Sequence, residues 1–226
     1  MSNDPNYKAT LVILNDIEAH GLVQFNPQYY DEDFFKNFLE FEKAFSNSIH
    51  ELVGKLDTFQ NIHDDMVVFT IYSELCYINS HLDMITKFLK IIINSTLVKG
   101  GFDENTQLHQ MITKICNKMQ YTEKLKNSIR GLFLIDFKNA ITNQHYLIYK
   151  NGTLAIYPND EKFKKYLNIK DLTDNALQTM AIFDAMYDWA NGTSKDKPGS
   201  LSNVVKNLIN QVEELDKKLD RLKSSH

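Results

Sequence analysis

The sequence predicts an all-α fold: an up-and-down helical bundle with one β-hairpin insertion and a C-terminal coiled-coil-like helix. Three observations predict it. Only 8 Gly and 4 Pro punctuate 226 residues, too few for a many-turned sheet. Apolar residues recur at steps of three and four over long stretches, the mark of a helix with one buried stripe. A single stretch, residues 146–157, instead alternates around Asn151-Gly152, a pair that tolerates the positive φ angles of a tight hairpin turn.

Residues 1–7 read as a loose tail, and residues 10–17 as a short helix or strand. Gly21 and Pro27 make residues 20–30 a loop. Asp31, Glu32 and Asp33 open the first strong helix, since acids suit the positive end of the helix dipole. Phe34, Phe38, Phe41, Phe45, Ile49, Leu52 and Leu56 form its stripe. The clearest helix spans residues 64–93. Val68, Ile71, Leu75, Ile78, Leu82, Ile85, Leu89 and Ile92 alternate steps of 3 and 4, a heptad-like seam. Phe69, Tyr72, Cys76 and Phe88 widen that face and place the helix at the centre of the bundle.

Gly100-Gly101 ends the connection, and Asp103 is a candidate N-cap for a third long helix. Leu108, Met111, Ile112, Ile115 and Met119 face inward. The phase breaks or kinks at Tyr121-Thr122, then resumes through Leu125, Ile129, Leu132 and Phe133 to Ile141. A two-residue hairpin loop pairs Tyr149 with Leu154 and Leu147 with Ile156, so that these four share the packed face. Residues 161–167 read as a short helical piece. Thr173 or Asp174 caps a helix with Leu177, Met180, Phe183, Met186 and Trp189 inside, which stops at Asn191-Gly192. The organisation is then a bundle domain over residues 1–192 with its hairpin near 146–157, a linker at 193–200, and a last helix at 201–226. Leu201, Val205, Leu208, Val212, Leu215, Leu219 and Leu222 give that helix a seam that can fold back on its own bundle or pair with a second copy, and its charged flanks favour a homodimer.

Composition narrows the function classes. A hydrophobic content of 43% with 24% charged residues excludes global disorder. The net charge of −4 leaves nucleic-acid binding only to a local patch. Charge is uneven: residues 31–65 carry nine acids against three lysines, whereas residues 114–138 carry six cations against two acids. Cys76 and Cys116 lack CxxC spacing and read as core residues. The N-terminus has no basic-then-apolar signal, and the apolar run at 88–93 is too short to span a bilayer. The expectation is a soluble cytoplasmic protein without cofactor or membrane anchor.

The chemistry concentrates in residues 130–157. A helix end there carries Lys138, Asn139, Thr142, Asn143, Gln144 and His145 just before the hairpin. The stretch FKNAITNQHYLIYKNGTLAIY resembles the helix-to-hairpin region of the HEPN superfamily (higher eukaryotes and prokaryotes nucleotide-binding). That resemblance implies a helical bundle, often dimeric. It implies either a metal-independent endoribonuclease or a non-catalytic partner in defence, toxin–antitoxin or RNA-processing systems.

The family motif is an Arg, a polar residue, then a His four to six positions on, followed by an aromatic and a strand. Lys138 falls at the Arg position and Asn139 at its neighbour. The His position holds Asn143 at the short gap and His145 at the long one; Tyr146 follows. Lys is a poorer phosphate grip than the forked Arg, and Asn143 cannot exchange protons near neutral pH as His does. The short gap therefore implies a catalytically degraded relative, and the long gap an active ribonuclease using Lys138 and His145. The residues read without the family give a third picture, in which Lys138 and Asn143 solvate and cap a helix end and His145 opens a strand. Lys124, Lys126, Arg130 and Lys138 form the candidate nucleic-acid approach.

Two other constellations are weaker. His63-Asp64 with His50 upstream is similar to the ligand pattern of HD-type phosphohydrolases, but the spacing is short. Glu74 and His81 lie two turns apart on one helix, as a site pair or as polar filler of a bundle. No phosphate loop, dinucleotide fingerprint, HExxH motif or GxSxG elbow is present. The remaining alternative is an unrelated helical interaction or oligomerisation protein whose working part is the C-terminal helix.

Overall fold

The computed structural model describes residues 4–194 except residues 25, 30–32, 34, 35, 39, 42–63 and 158–163. The predicted C-terminal helix and most of the predicted 31–57 helix lie outside the described residues. Asp33, residues 36–38, Glu40 and Phe41 are helical, and Phe38 is buried as the stripe requires.

The fold is mainly helical with one small sheet, as the periodicities predict. In chain order come α1 (Pro5–Ala19), α2 (Asp64–Ile92), α3 (Leu108–Lys118), α4 (Glu123–Leu132) and α5 (Ile135–Thr142). Strands β1 (Tyr146–Ile148), β2 (Leu154–Ile156) and β3 (Lys165–Leu167) follow, then α6 (Ile169–Ser194). Helices α1 and α2 both pack along α6.

The supposed tail is helix from Pro5 onward. Asp4 accepts from the Asn6 and Tyr7 amides, and Pro5 starts the first turn. The Tyr7 hydroxyl then donates to Asp188 on α6 at 2.6 Å, a long-range tie that a local reading of the terminus misses.

Helix α2 is the centre. Ile71, Leu75, Ile78, Leu82, Ile85, Leu89 and Ile92 are all buried. Each such side chain contributes roughly 1.5–3 kcal/mol on leaving water. The wider face predicted from Phe69 and Tyr72 is corrected: both stand exposed, while Phe88 is buried. The loop after α1 closes the C-terminus of α2. The Asn26 side-chain amide donates to the carbonyls of Lys90, Ile91 and Ile93. The Gln24 and Asn26 amides take those of Ile92 and Ile91, so the end carbonyls of the helix are satisfied by this loop.

Helix α3 starts at Leu108, four residues later in register than an Asp103 cap implies. Gln110 instead reaches back to the Gln107 amide at 3.1 Å, and Asp103 closes a turn with Thr106. The break at Tyr121-Thr122 is a full interruption, with Thr122 capping α4. A second break was not foreseen. Leu134 adopts φ 47°, ψ 41°, a left-handed conformation costly for leucine. The Gln178 side chain of α6 donates to the Gly131 and Leu132 carbonyls at 3.0 and 2.6 Å, closing α4.

The sheet differs from the predicted hairpin in two ways. Residues 165–167 form a third strand rather than a helical turn, giving the antiparallel order β1-β2-β3. The hairpin register is shifted by one: Tyr146 pairs with Ile156, Leu147 with Ala155 and Ile148 with Leu154. Residues 150–152 form a three-residue loop in which Gly152 has φ +82°. A one-residue slip turns every β1 side chain over. Leu147 and Tyr149 therefore face outward, while Tyr146 and Ile148 pack on the core with Leu154 and Ile156.

Helix α6 begins with a reciprocal pair, Asn168 and Asp171, each side chain accepting from the other's amide. The cap is thus upstream of Thr173 and Asp174. Leu177 is exposed; Leu172, Ala176, Ile182, Met186 and Trp189 are buried. The helix also continues through Asn191-Gly192 to Ser194.

Candidate functional site

The predicted polar patch is built on a helix end. Gln144 takes φ +57°. Its amide donates to the Ile141 carbonyl, and the His145 amide donates to the Ala140 carbonyl at 2.7 Å. These two bonds make a Schellman cap, with Gln144 in the position glycine usually holds. Asn143 is the C-cap residue and is exposed, as is His145. The His145 carbonyl then accepts from the Tyr157 amide at 2.9 Å, extending the sheet by one pair.

Lys138 points the other way, to α2. Its ammonium donates to Asp83 Oδ1 at 2.6 Å and to Asn79 Oδ1 at 2.7 Å, and Asn79 Nδ2 donates to Asp83 Oδ2 at 3.2 Å. The three side chains form a closed ring. The Lys138 side chain is 14% exposed, so the low-dielectric flank strengthens the pair. Asn139 is half-buried beside it. Lys138 and His145 are thus separated by the cap: one serves the α2–α5 contact, the other opens the sheet. Sequence reading missed Asn79 and Asp83. Their i, i+4 spacing on α2 was visible, but nothing in sequence pointed them at Lys138.

The predicted nucleic-acid approach is partly neutralised. Lys126 pairs with Glu123 at 2.7 Å and Arg130 with Asp136 at 3.4 Å. Lys124 is exposed. The segment's net charge remains positive, but three of its four predicted cations carry an acid partner.

Arg130 also borders a cleft of about 320 Å³ with Gly131, Asp136, Lys164, Lys165 and Asn175. The cleft lies where α4, α5, β3 and α6 meet. Lys164 and Lys165 escape the sequence reading, in which residues 161–167 are a short helical piece.

The weaker constellations resolve differently. Glu74 and His81 are both fully buried. His81 donates from Nδ1 to the Tyr77 carbonyl and lies among the rings of Phe38, Tyr77 and Phe183, which is a core placement. His50 and His63 lie outside the described residues. Among the described residues no cluster of His, Cys, Asp and Glu is arranged to hold a metal ion, and no helix is long and apolar enough to cross a membrane. Both cysteines are free thiols, and burial pushes each above the ordinary cysteine value.

No family model matches the chain, and no curated protein and no solved structure is significantly similar to it.

Proposed function

We propose that this chain is a HEPN-like helical protein with degraded catalytic residues. It works as an RNA-binding or protein-interaction module in a defence, toxin–antitoxin or RNA-processing setting. The observation that carries this reading is the bonding of Lys138. A catalytic cation must meet a phosphate, yet this ammonium already has Asp83 and Asn79 as partners within 2.7 Å. One N–H of this ammonium is left for a phosphate, and the Asp83 carboxylate beside it repels that anion. Asn143, at the short-gap position, supplies no titrating group. His145 follows the cap and opens the sheet, away from Lys138.

The test is incubation of the purified chain with mixed RNA in chelator, beside Lys138→Ala and His145→Ala. Unchanged RNA in all three samples is the expected result. Cleavage by the native chain that disappears in either variant would show an active ribonuclease instead.

A further inference from the structure

The outward face of the sheet has no role in the reading above. The observed register, extended one pair at each end, places His145, Tyr157 and Lys164 in one row across it. Leu147, Ala155 and Tyr166 form the next row, with Ala155 fully buried between its two exposed neighbours, and Tyr149 stands opposite Thr153 beyond. Tyr166 is 57% exposed, Leu147 53% and Tyr149 39%. Lys164 lies over the Tyr157 ring, 5.2 Å from its centroid. The hydroxyls of Tyr157, then Tyr166, raise the Lys164 ammonium above its ordinary value. Lys164 also lines the cleft that holds Lys165 and Arg130, so the aromatic face and the basic cleft share a residue.

We propose that this sheet face and the adjoining cleft bind single-stranded RNA. Bases stack on the exposed rings of Tyr166 and Tyr149, and phosphates meet Lys164, Lys165 and Arg130. RNA as the occupant rests on the RNA-binding half of the function proposed above. The chemistry favours it over an aliphatic partner such as a leucine seam. An aliphatic cover would strip water from the phenol hydroxyls and the Lys164 ammonium without replacing their hydrogen bonds. A nucleobase offers a π-face to the rings, and its phosphate offers a charge to the lysines. Asp136 is the opposing acid in the cleft. It is paired with Arg130 at 3.4 Å, with its side chain 60% exposed, so a phosphate displaces little to reach the guanidinium.

Fluorescence anisotropy with a labelled single-stranded RNA of about 12 nucleotides, within the usual span of such sites, tests the proposal on the full chain. Tyr166→Ala is expected to weaken binding roughly five- to 150-fold, the range for losing one stacked base, whereas Tyr166→Phe keeps the ring and the affinity. Lys164→Ala is expected to reduce the salt slope by about 0.7. Circular dichroism of Tyr166→Ala should match the native spectrum, because the side chain is exposed. The proposal is overturned if the native chain binds no RNA at about ten micromolar, if Tyr166→Ala binds as tightly as the native chain, or if duplex RNA competes equally. These results separate it from the non-catalytic reading. RNA cleavage lost in Lys138→Ala would overturn that reading and leave the Tyr166 ratios to decide this one.

Discussion

Helix α2 and the stretch from α3 to α5 have similar apolar stripes, yet one is continuous and the other is broken twice. Helix α2 runs 29 residues without interruption, and its buried positions follow the predicted steps. Residues 108–142 turn at 119–122 and again at 133–134. The difference lies in what receives the broken ends. At the first break the Tyr121 hydroxyl donates to Asp16 on α1. At the second, Gln178 on α6 takes two carbonyls of α4. Stripe periodicity reports which face is buried. It does not report a partner 105 or 46 residues away that makes a break tolerable.

Substitutions sharpen this contrast. The largest effect is expected in α2: Leu82 is fully buried, and Leu82→Ala should lower the unfolding free energy by about 2–5 kcal/mol. A urea midpoint that barely moves would remove α2 from the centre of the core. Next comes the anchor of the first break. Tyr121→Phe removes a hydrogen bond to a carboxylate, worth roughly 1.5–3 kcal/mol.

The same variant has a pH signature. Burial, then the bond to Asp16, raises the Tyr121 pKa above its ordinary value. The folded chain therefore keeps a proton that the unfolded chain releases near pH 10. This contribution is fully present below the unfolded pKa and is lost as pH rises from there through the folded value. Comparing native and Tyr121→Phe stability between about pH 9 and 11 should show the native advantage shrinking only above about pH 10. A constant difference would mean that the phenol is not the group responsible.

The smallest effect tests the sheet. In the observed register Leu147 is 53% exposed, and Leu147→Thr should change stability by less than about 0.5 kcal/mol. In the two-residue-loop register it would be a core deletion costing several times more. A large loss would restore the predicted pairing and turn the proposed RNA face inward.

The hairpin shows why strands are harder to read than helices. A helical stripe more than 100° wide survives a one-residue error in phase, but in a strand the same error exchanges the two faces. Asn151-Gly152 correctly marked the turn. That pair does not fix the loop length: the Tyr149 amide donates to the Thr153 carbonyl and the Gly152 amide to the Tyr149 carbonyl, so the loop holds three residues rather than the expected two. The candidate site was legible to the same degree. Its polar residues were found, and the capping role of Asn143 was one of the readings. The separation of Lys138 from His145 was hidden, because it depends on a left-handed Gln144 where a glycine would have advertised the cap.

What the sequence determined by itself is the mainly helical class, the central helix and its buried seam, the break at Tyr121-Thr122 and the existence of a hairpin. All are local: they follow from spacing, capping chemistry and turn propensity within a few residues. The tertiary structure decided the second break, the third strand, the strand register and the bonding of Lys138. For the second break and for Lys138 the deciding partner lies far along the chain. Asp83 stands 55 residues from Lys138 and Gln178 stands 46 from Leu132, and only packing around α2 and α6 brings such groups within hydrogen-bond reach.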